Sequence, residues 1–314
     1  MRPILLMSSL FLIFTAVSCK NGDDSPPTDG FTDFTLATIA DFSGRFSHTL
    51  TVFDGKLWVI GTRADGGPKN DVWYSSDGIS WTEATSNAGF PARYSHTAIA
   101  FNDKLWVIGG TSGSDFKNDV WYSSDGVTWI EAVNEANFSK RERHSSVVFD
   151  NKLWVIGGYN SSSLGDVWSS SDGINWTMAV ENGAFQFRES HTSEVFDNKM
   201  WIIAGYNMDH RTNDVWYSSD GSIWTLATSN AGFSARIQHG SAVFDNKLWV
   251  IGGRNDPGVT NDIWFSEDGV TWDLFLENAA FSKRSSHKTV SFNNKLWLVG
   301  GYDTEARNDV WVSN

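Results

Sequence analysis

Glu142, Arg143 and Glu189 are the residues of this 314-residue sequence best suited to perform chemistry. Two carboxylates can divide acid and base roles around a bound group, and a guanidinium can hold an anion. Two larger sets compete with them. His48, His96, His144, His191, His239 and His287 recur every 47 or 48 residues, and imidazole is a common metal ligand. A metal, however, needs its donors within about 2 Å of one ion, and six residues spread over equivalent units around an axis stand much farther apart. They read as scaffold histidines that hydrogen-bond loop backbone, and no metal is expected. His210 breaks the spacing and reads as solvated. Arg45, Arg93, Arg141, Arg188, Arg236 and Arg284 each precede one of the six histidines by three residues. Such strict equivalence fits anchors whose guanidinium groups bond loop carbonyls. Asp71, Asp119, Asp166, Asp214, Asp262 and Asp309 read likewise as loop-to-strand hydrogen bonders. No phosphate-binding glycine loop, zinc-protease helix motif or nucleophile elbow is present.

The elements that must position these residues are strands. Lys104-Leu-Trp-Val-Ile-Gly-Gly110 has near-copies starting at Lys56, Lys152, Lys199, Lys247 and Lys295. Each is an unbroken apolar run ending in glycine, which predicts a strand buried on both faces. Tryptophans also recur in Asn-Asp-Val-Trp-type segments (Trp73 to Trp311) and after Asp-Gly turns (Trp81 to Trp272), and together these series account for all 17. With the apolar segment after each histidine, the unit holds four strands, A to D. Four strands in 47 or 48 residues make a propeller blade. The sequence therefore predicts an all-β, six-bladed β-propeller. Phe34-Thr-Leu-Ala-Thr-Ile39, with Phe42 and Arg45, matches the pattern from Trp81 to Arg93 with one residue missing, so this first strand should complete the last blade and close the ring.

The glycine doublet after strand B, the spaced aromatics and the arginine before strand A resemble the kelch repeat over residues 34 to 314. The chain departs from it where tryptophan replaces the commoner tyrosine and where the doublet is Gly61-Thr62 or Ala204-Gly205. Ser123-Ser-Asp-Gly-Val-Thr-Trp129 is similar to a sialidase Asp-box with one residue fewer between Asp and Gly.

Alternating strands put the A–B and C–D turns on one face of the disc and the D–A and B–C connections on the other. The A–B turns, Asp54-Gly55 through Asn293-Asn294, are uniform hairpin chemistry. The other face varies. Its B–C segments run Thr62 to Asn70, Thr111 to Asn118, Tyr159 to Gly165, Tyr206 to Asn213, Arg254 to Asn261 and Tyr302 to Asn308. Between arginine and histidine stand Phe46-Ser47, Tyr94-Ser95, Glu142-Arg143, Glu189-Ser190, Ile237-Gln238 and Ser285-Ser286. In kelch proteins these positions surround the mouth of the central channel and contact ligands. The resemblance thus implies a ligand-binding set of Tyr94, Glu142, Arg143, Tyr159, Asn160, Glu189, Tyr206, Asn207, Gln238, Arg254, Tyr302 and Asp303. A polar mouth rimmed by tyrosines suits a glycan or a protein segment. Sialidases are also six-bladed and use arginines, a tyrosine and a glutamate, so the alternative is a carbohydrate-active enzyme, a sialic-acid mutarotase or glycosidase, acting through Glu142, Arg143 and Glu189. The copper chemistry of galactose oxidase, which shares the kelch fold, requires a cysteine cross-linked to tyrosine. The one cysteine here, Cys19, lies in the leader. No cofactor is expected.

The formal charge of −13 argues against nucleic acid and anionic membrane surfaces as partners. Met1-Arg2, an apolar run from Ile4 to Phe14 and Thr15-Ala-Val-Ser-Cys19 have the form of a secretory signal. Serine before Cys19 resembles a bacterial lipobox, which implies lipidation at Cys19. The expected organisation is a signal peptide over 1–19, a polar tether over 20–31 whose acidic start resembles a surface-export signal, and one propeller over 32–314. The sequence thus predicts a monomeric, non-catalytic binding module tethered by lipid to the bacterial outer membrane.

Overall fold

The computed structural model describes residues 30–314; the leader, Cys19 and the tether as far as residue 29 lie outside the described residues. Strand β1 (Phe34–Ile39) comes first. Blade 1 follows with β2 (Thr49–Phe53), β3 (Lys56–Ala64), β4 (Gly67–Ser75) and β5 (Thr82–Thr85), and blade 2 with β6 (Thr97–Phe101), β7 (Lys104–Thr111), β8 (Phe116–Ser123) and β9 (Ile130–Val133). Blade 3 is β10 (Ser145–Phe149), β11 (Lys152–Tyr159), β12 (Ser163–Ser170) and β13 (Thr177–Val180). Blade 4 is β14 (Thr192–Phe196), β15 (Lys199–Asn207), β16 (His210–Ser218) and β17 (Thr225–Thr228). Blade 5 is β18 (Gly240–Phe244), β19 (Lys247–Asn255), β20 (Gly258–Ser266) and β21 (Asp273–Leu276). Blade 6 consists of β22 (Lys288–Phe292), β23 (Lys295–Val299), β24 (Asp309–Ser313) and the returning β1.

Each B strand is sandwiched between two neighbouring sheets, which is why its apolar run is continuous: Leu105, Trp106, Val107 and Ile108 are all buried. Adjacent blades interlock through tryptophan and glycine. The B-strand Trp58 packs against Gly126 in the C–D turn of the next blade, where a Cβ would lie 2.0 Å from the indole. Trp106 with Gly173, Trp154 with Gly221, Trp201 with Gly269 and Trp297 with Gly78 repeat the arrangement. The Asp-Gly turns thus carry glycine for close approach as well as for left-handed φ.

Closure occurs as the sequence predicts. β1 pairs antiparallel with β24, Phe34 opposite Ser313 and Ile39 opposite Asp309, and Phe34 is buried in the tryptophan place. The seam also rebuilds a turn from two distant segments. In blade 1, Asp77 Oδ1 accepts from the amides of Ile79 and Ser80, each at 2.8 Å. In blade 6, Asn314 Oδ1 accepts from the amides of Thr32 and Asp33 at 3.0 and 3.1 Å. Trp249, which meets no turn glycine, is covered by Phe31 at 5.4 Å, itself stacked on Phe275 at 4.8 Å. Packing therefore begins at Phe31, a residue the sequence reading assigned to the tether. Phe31→Ala should lower stability by about 2–3 kcal/mol in urea unfolding, somewhat below an interior phenylalanine because a terminal segment can fray. An unchanged midpoint would mean that the seam does not depend on this ring.

Two boundaries differ from expectation. The B–C segments are mostly strand: β3 runs to Ala64 and β4 resumes at Gly67. The left-handed glycine doublet, such as Gly109 and Gly110 (φ 57° and 95°), forms a bulge that shifts register without ending the hairpin. Blade 6 alone has an irregular B–C loop, from Gly300 to Asn308. The D strands start just after their tryptophans, as at Thr82 following Trp81.

Candidate functional site

The six arginines turn out to be clamps. Arg93 donates through both terminal nitrogens to Asp119 at 2.7 Å, to Gly109 O at 2.8 Å and through Nε to Pro91 O at 3.1 Å. Asp119 Oδ2 also accepts from Trp121 Nε1 at 2.8 Å. Arg45–Asp71, Arg141–Asp166, Arg188–Asp214, Arg236–Asp262 and Arg284–Asp309 repeat the pair, and every one of these guanidinium groups is buried. The expected anchoring role holds, but the main partner is the strand-C carboxylate, with carbonyls secondary. Each clamp pins a D–A connection to the blade it enters, and no member is free to hold a substrate.

With those connections fixed, the two residues between arginine and histidine form concentric circles at the channel mouth. In the inner circle Ser47, Ser95, Arg143, Ser190, Gln238 and Ser286 all have left-handed φ, between 53° and 57°. Each amide donates to the carbonyl of its counterpart in the preceding blade: Ser95 to Ser47 at 2.8 Å, Arg143 to Ser95 at 2.9 Å, and so on until Ser47 closes on Ser286 at 3.1 Å. The result is a cyclic backbone collar around the axis. In the outer circle Phe46–Arg63, Tyr94–Thr111, Glu142–Tyr159, Glu189–Tyr206, Ile237–Arg254 and Ser285–Tyr302 are bridged as antiparallel pairs. This pairing sets each mouth glutamate beside a tyrosine.

Arg143 joins the two carboxylates: Nε lies 3.2 Å from Glu142 Oε1, a terminal nitrogen donates to Glu189 Oε2 at 3.0 Å, and the guanidinium stands 5.7 Å from the Tyr159 ring. Burial works against its charge, but the two glutamates more than offset this and raise its pKa. Glu142 is pushed up, first by burial and further by Glu189, against the pull of Arg143. Its Oε2 is buried with no hydrogen-bond partner. On the neighbouring side of the mouth, Arg63 is held between Phe46 and Tyr94 at 5.7 and 5.3 Å and acts on the Glu142 carboxylate, and Phe46 meets Tyr302 at 5.1 Å. Sequence reasoning did not single out Phe46 and Arg63; their departure from the Glu, Ser and Tyr of other units was the available signal.

Of the remaining sequence-predicted residues, Tyr206, Gln238 and Arg254 fall in the two circles. Asn160 and Asn207 lie one step farther out on the hairpins; the Asn160 amide donates to Ser162 O at 3.0 Å, and Asn207 pairs with His210 in register. Asp303 is engaged by Arg307 of its own loop at 2.8 Å and by Ser282 of the preceding D–A connection at 2.9 Å. The set therefore does not converge on one point: Glu142, Arg143, Glu189 and Tyr159 do, whereas Asp303 braces a loop.

The six histidines are buried below the collar. Three of them meet side-chain hydroxyls of the preceding blade instead of the expected loop backbone: His144 Nε2 with Thr97 at 3.1 Å, His191 with Ser145 at 2.8 Å and His239 with Thr192 at 2.9 Å. His287 reaches the carbonyl of Ile251 at 3.1 Å, and His96 and His144 face the equivalent strand-B carbonyls of Ile60 and Ile108. Burial, then the adjacent clamp arginine, lowers His144, His191 and His287 to about 3 and holds them neutral. Among the described residues no group of three or more His, Cys, Asp or Glu side chains is placed to hold a metal.

Six four-stranded blades, closed by the first strand and varied along one rim, define a β-propeller scaffold with a recognition mouth. The chain belongs to the kelch-repeat family: the KLHDC2/KLHL20/DRC7 Kelch-repeats domain matches residues 35–178 and again 174–314. No curated protein matches it.

Proposed function

We propose that the protein is a non-catalytic binding module whose mouth receives a segment of a partner protein, the general use of kelch propellers. The observation that carries this reading is Glu142 Oε2, a carboxylate oxygen buried at the mouth without a donor. A cationic or amide side chain that reached it would supply the missing hydrogen bond, and Phe46, Tyr94 and Tyr302 on the other units offer contact area along the rim. Arg143 ties the two carboxylates together, so an acid–base pair would first have to give up that bridge.

Capture of partners from an envelope fraction should fall about tenfold with Glu142→Gln, the scale of one charge-assisted hydrogen bond. Tyr159→Ala should weaken capture similarly while leaving the unfolding midpoint unchanged. Equal capture by wild type and both variants would move the site elsewhere. A glycan array run in parallel tests the other ligand class: glycan binding without protein capture would replace the partner. Turnover or accelerated anomerisation of sialic-acid substrates by NMR would overturn the non-catalytic reading.

Anchoring through Cys19 is part of the proposal. Gly30 and Phe31 line a cavity with Asp245 and Asn294, residues of the A–B turns, so the chain joins the disc on the face opposite the mouth. A lipid at Cys19 would leave the mouth directed away from the membrane. Cys19→Ala should release the protein from the membrane fraction, and retention would remove the anchor from the proposal.

A further inference from the structure

Beneath the collar the channel holds a chamber of about 80 Å³, and Arg143 lies between it and the mouth carboxylates. All six collar residues line it, the serines Ser47, Ser95, Ser190 and Ser286 with Gln238 and Arg143, and Lys288 joins them. The backbone of the collar residues is consumed by the ring, while their serine hydroxyls and the Gln238 amide make no side-chain hydrogen bond among the described residues. The chamber is thus bordered by uncommitted donors.

Lys288 is the departure that gives these donors a purpose. It opens β22, at the position where the other A strands carry Thr49, Thr97, Ser145, Thr192 and Gly240. Lys288 forms no ion pair among the described residues. Its charge is one of the causes that keep His48, His96, His144, His239 and His287 neutral, which sets the ammonium close to the axis. Lys288 also lines the chamber below, together with Glu194, whose carboxylate accepts from Ser241 Oγ at 2.5 Å. The hydroxyl–imidazole chain also breaks beside Lys288. At Gly240 a Cβ would stand 2.6 Å from Thr289 Oγ1 and 2.9 Å from His287 Nε2, so no hydroxyl serves His287 there. His48, which follows Lys288 around the ring, has neither nitrogen hydrogen-bonded, and the same holds for His96 one blade farther on.

We propose that this chamber is a binding site for a small anion, an inorganic ion or short carboxylate of the size of bromide, nitrate, formate or acetate. Lys288 supplies the charge and the collar serines supply neutral donors. Lys288 is half-buried at the channel wall and burial lowers its pKa, a cost that charge-assisted hydrogen bonds to an anion would offset. The surface, with a formal charge of −13, does not concentrate anions, so affinity must come from these local groups.

The test is a titration of the soluble propeller with sodium bromide, nitrate, formate and acetate. A bulky sulfonate at equal ionic strength is the reference, since it cannot enter the chamber. The amide shifts of Ser95 and Ser190 and the unfolding temperature are followed. Wild type should respond saturably to at least one small anion and not to the reference. Lys288→Thr, which restores the residue type of the other blades, should bind at least tenfold more weakly. Tyr302→Ala, which alters the mouth at a residue that does not line the chamber, should respond as wild type does, so failure here is distinguishable from failure of the partner-binding reading. Equal responses from wild type and Lys288→Thr, or no saturable response at all, overturn the proposal. Should Lys288→Thr not fold, bromide-soaked wild-type crystals decide: anomalous density beside Lys288 Nζ is expected, and its absence at saturating bromide rejects the site.

Discussion

Asp119→Ala should lower the stability of the propeller by about 3–5 kcal/mol, the usual cost of removing one partner from a buried ion pair. The substitution leaves Arg93 charged inside the protein, with Gly109 O and Pro91 O as its remaining acceptors, and takes the acceptor from Trp121 Nε1. Asp119→Asn should recover little of this, because an amide keeps the shape but not the counter-charge. Replacing both members together, Arg93→Met with Asp119→Leu, should cost less than Asp119→Ala alone, since no ion is then stranded. Urea unfolding of wild type, Arg93→Met, Asp119→Leu and the double variant forms a double-mutant cycle. If the double variant loses as much as the sum of the two single changes, the pair is not coupled and the clamp is misassigned.

Acid should unfold the protein steeply below about pH 6, driven by the same buried histidines. In the folded state His144, His191 and His287 titrate near 3 and the other three are also held well below the ordinary value. In the unfolded chain each titrates near 6.5, so between those limits the unfolded state binds more protons. Stability therefore rises with pH through this window and is lost as pH falls, by up to about 1.4 kcal/mol per pH unit for each imidazole. Glu194 acts in the opposite sense. Its folded value of about 7 lies above that of the unfolded carboxyl, so its contribution is complete at low pH and fades as pH rises through 7. Six imidazoles outweigh it. Urea unfolding at a series of pH values should show the steep slope, and His191→Asn should reduce it by about one proton. Stability that stays level between pH 6.5 and 4 would contradict the buried neutral ring.

The repeat made most of the fold legible. Continuous apolar B strands, the Asp-Gly turns and the resemblance of Phe34–Ile39 to a D strand led directly to six blades and their closure. What escaped reading were contacts between positions with no local signal. Arg93 and Asp119 are 26 residues apart, and nothing near either one names the other; only their matching recurrence, one of each per blade, hinted at a pair. The collar was hidden for a different reason: left-handed backbone is usually announced by glycine, whereas here serine, glutamine and arginine adopt it because six inter-blade hydrogen bonds hold them there. Lys288 and Glu194 went unnoticed because they sit inside otherwise uniform A strands, where a single departure from the repeat was the whole clue.

Only main-chain atoms form the collar, and this separates the two tasks of the central loops. A side chain at any of its six positions can be exchanged without opening the circle, provided the newcomer tolerates a left-handed conformation, which disfavours valine, isoleucine and threonine. New specificities can therefore be drafted there one residue at a time while the rigidity of the hub is inherited unchanged.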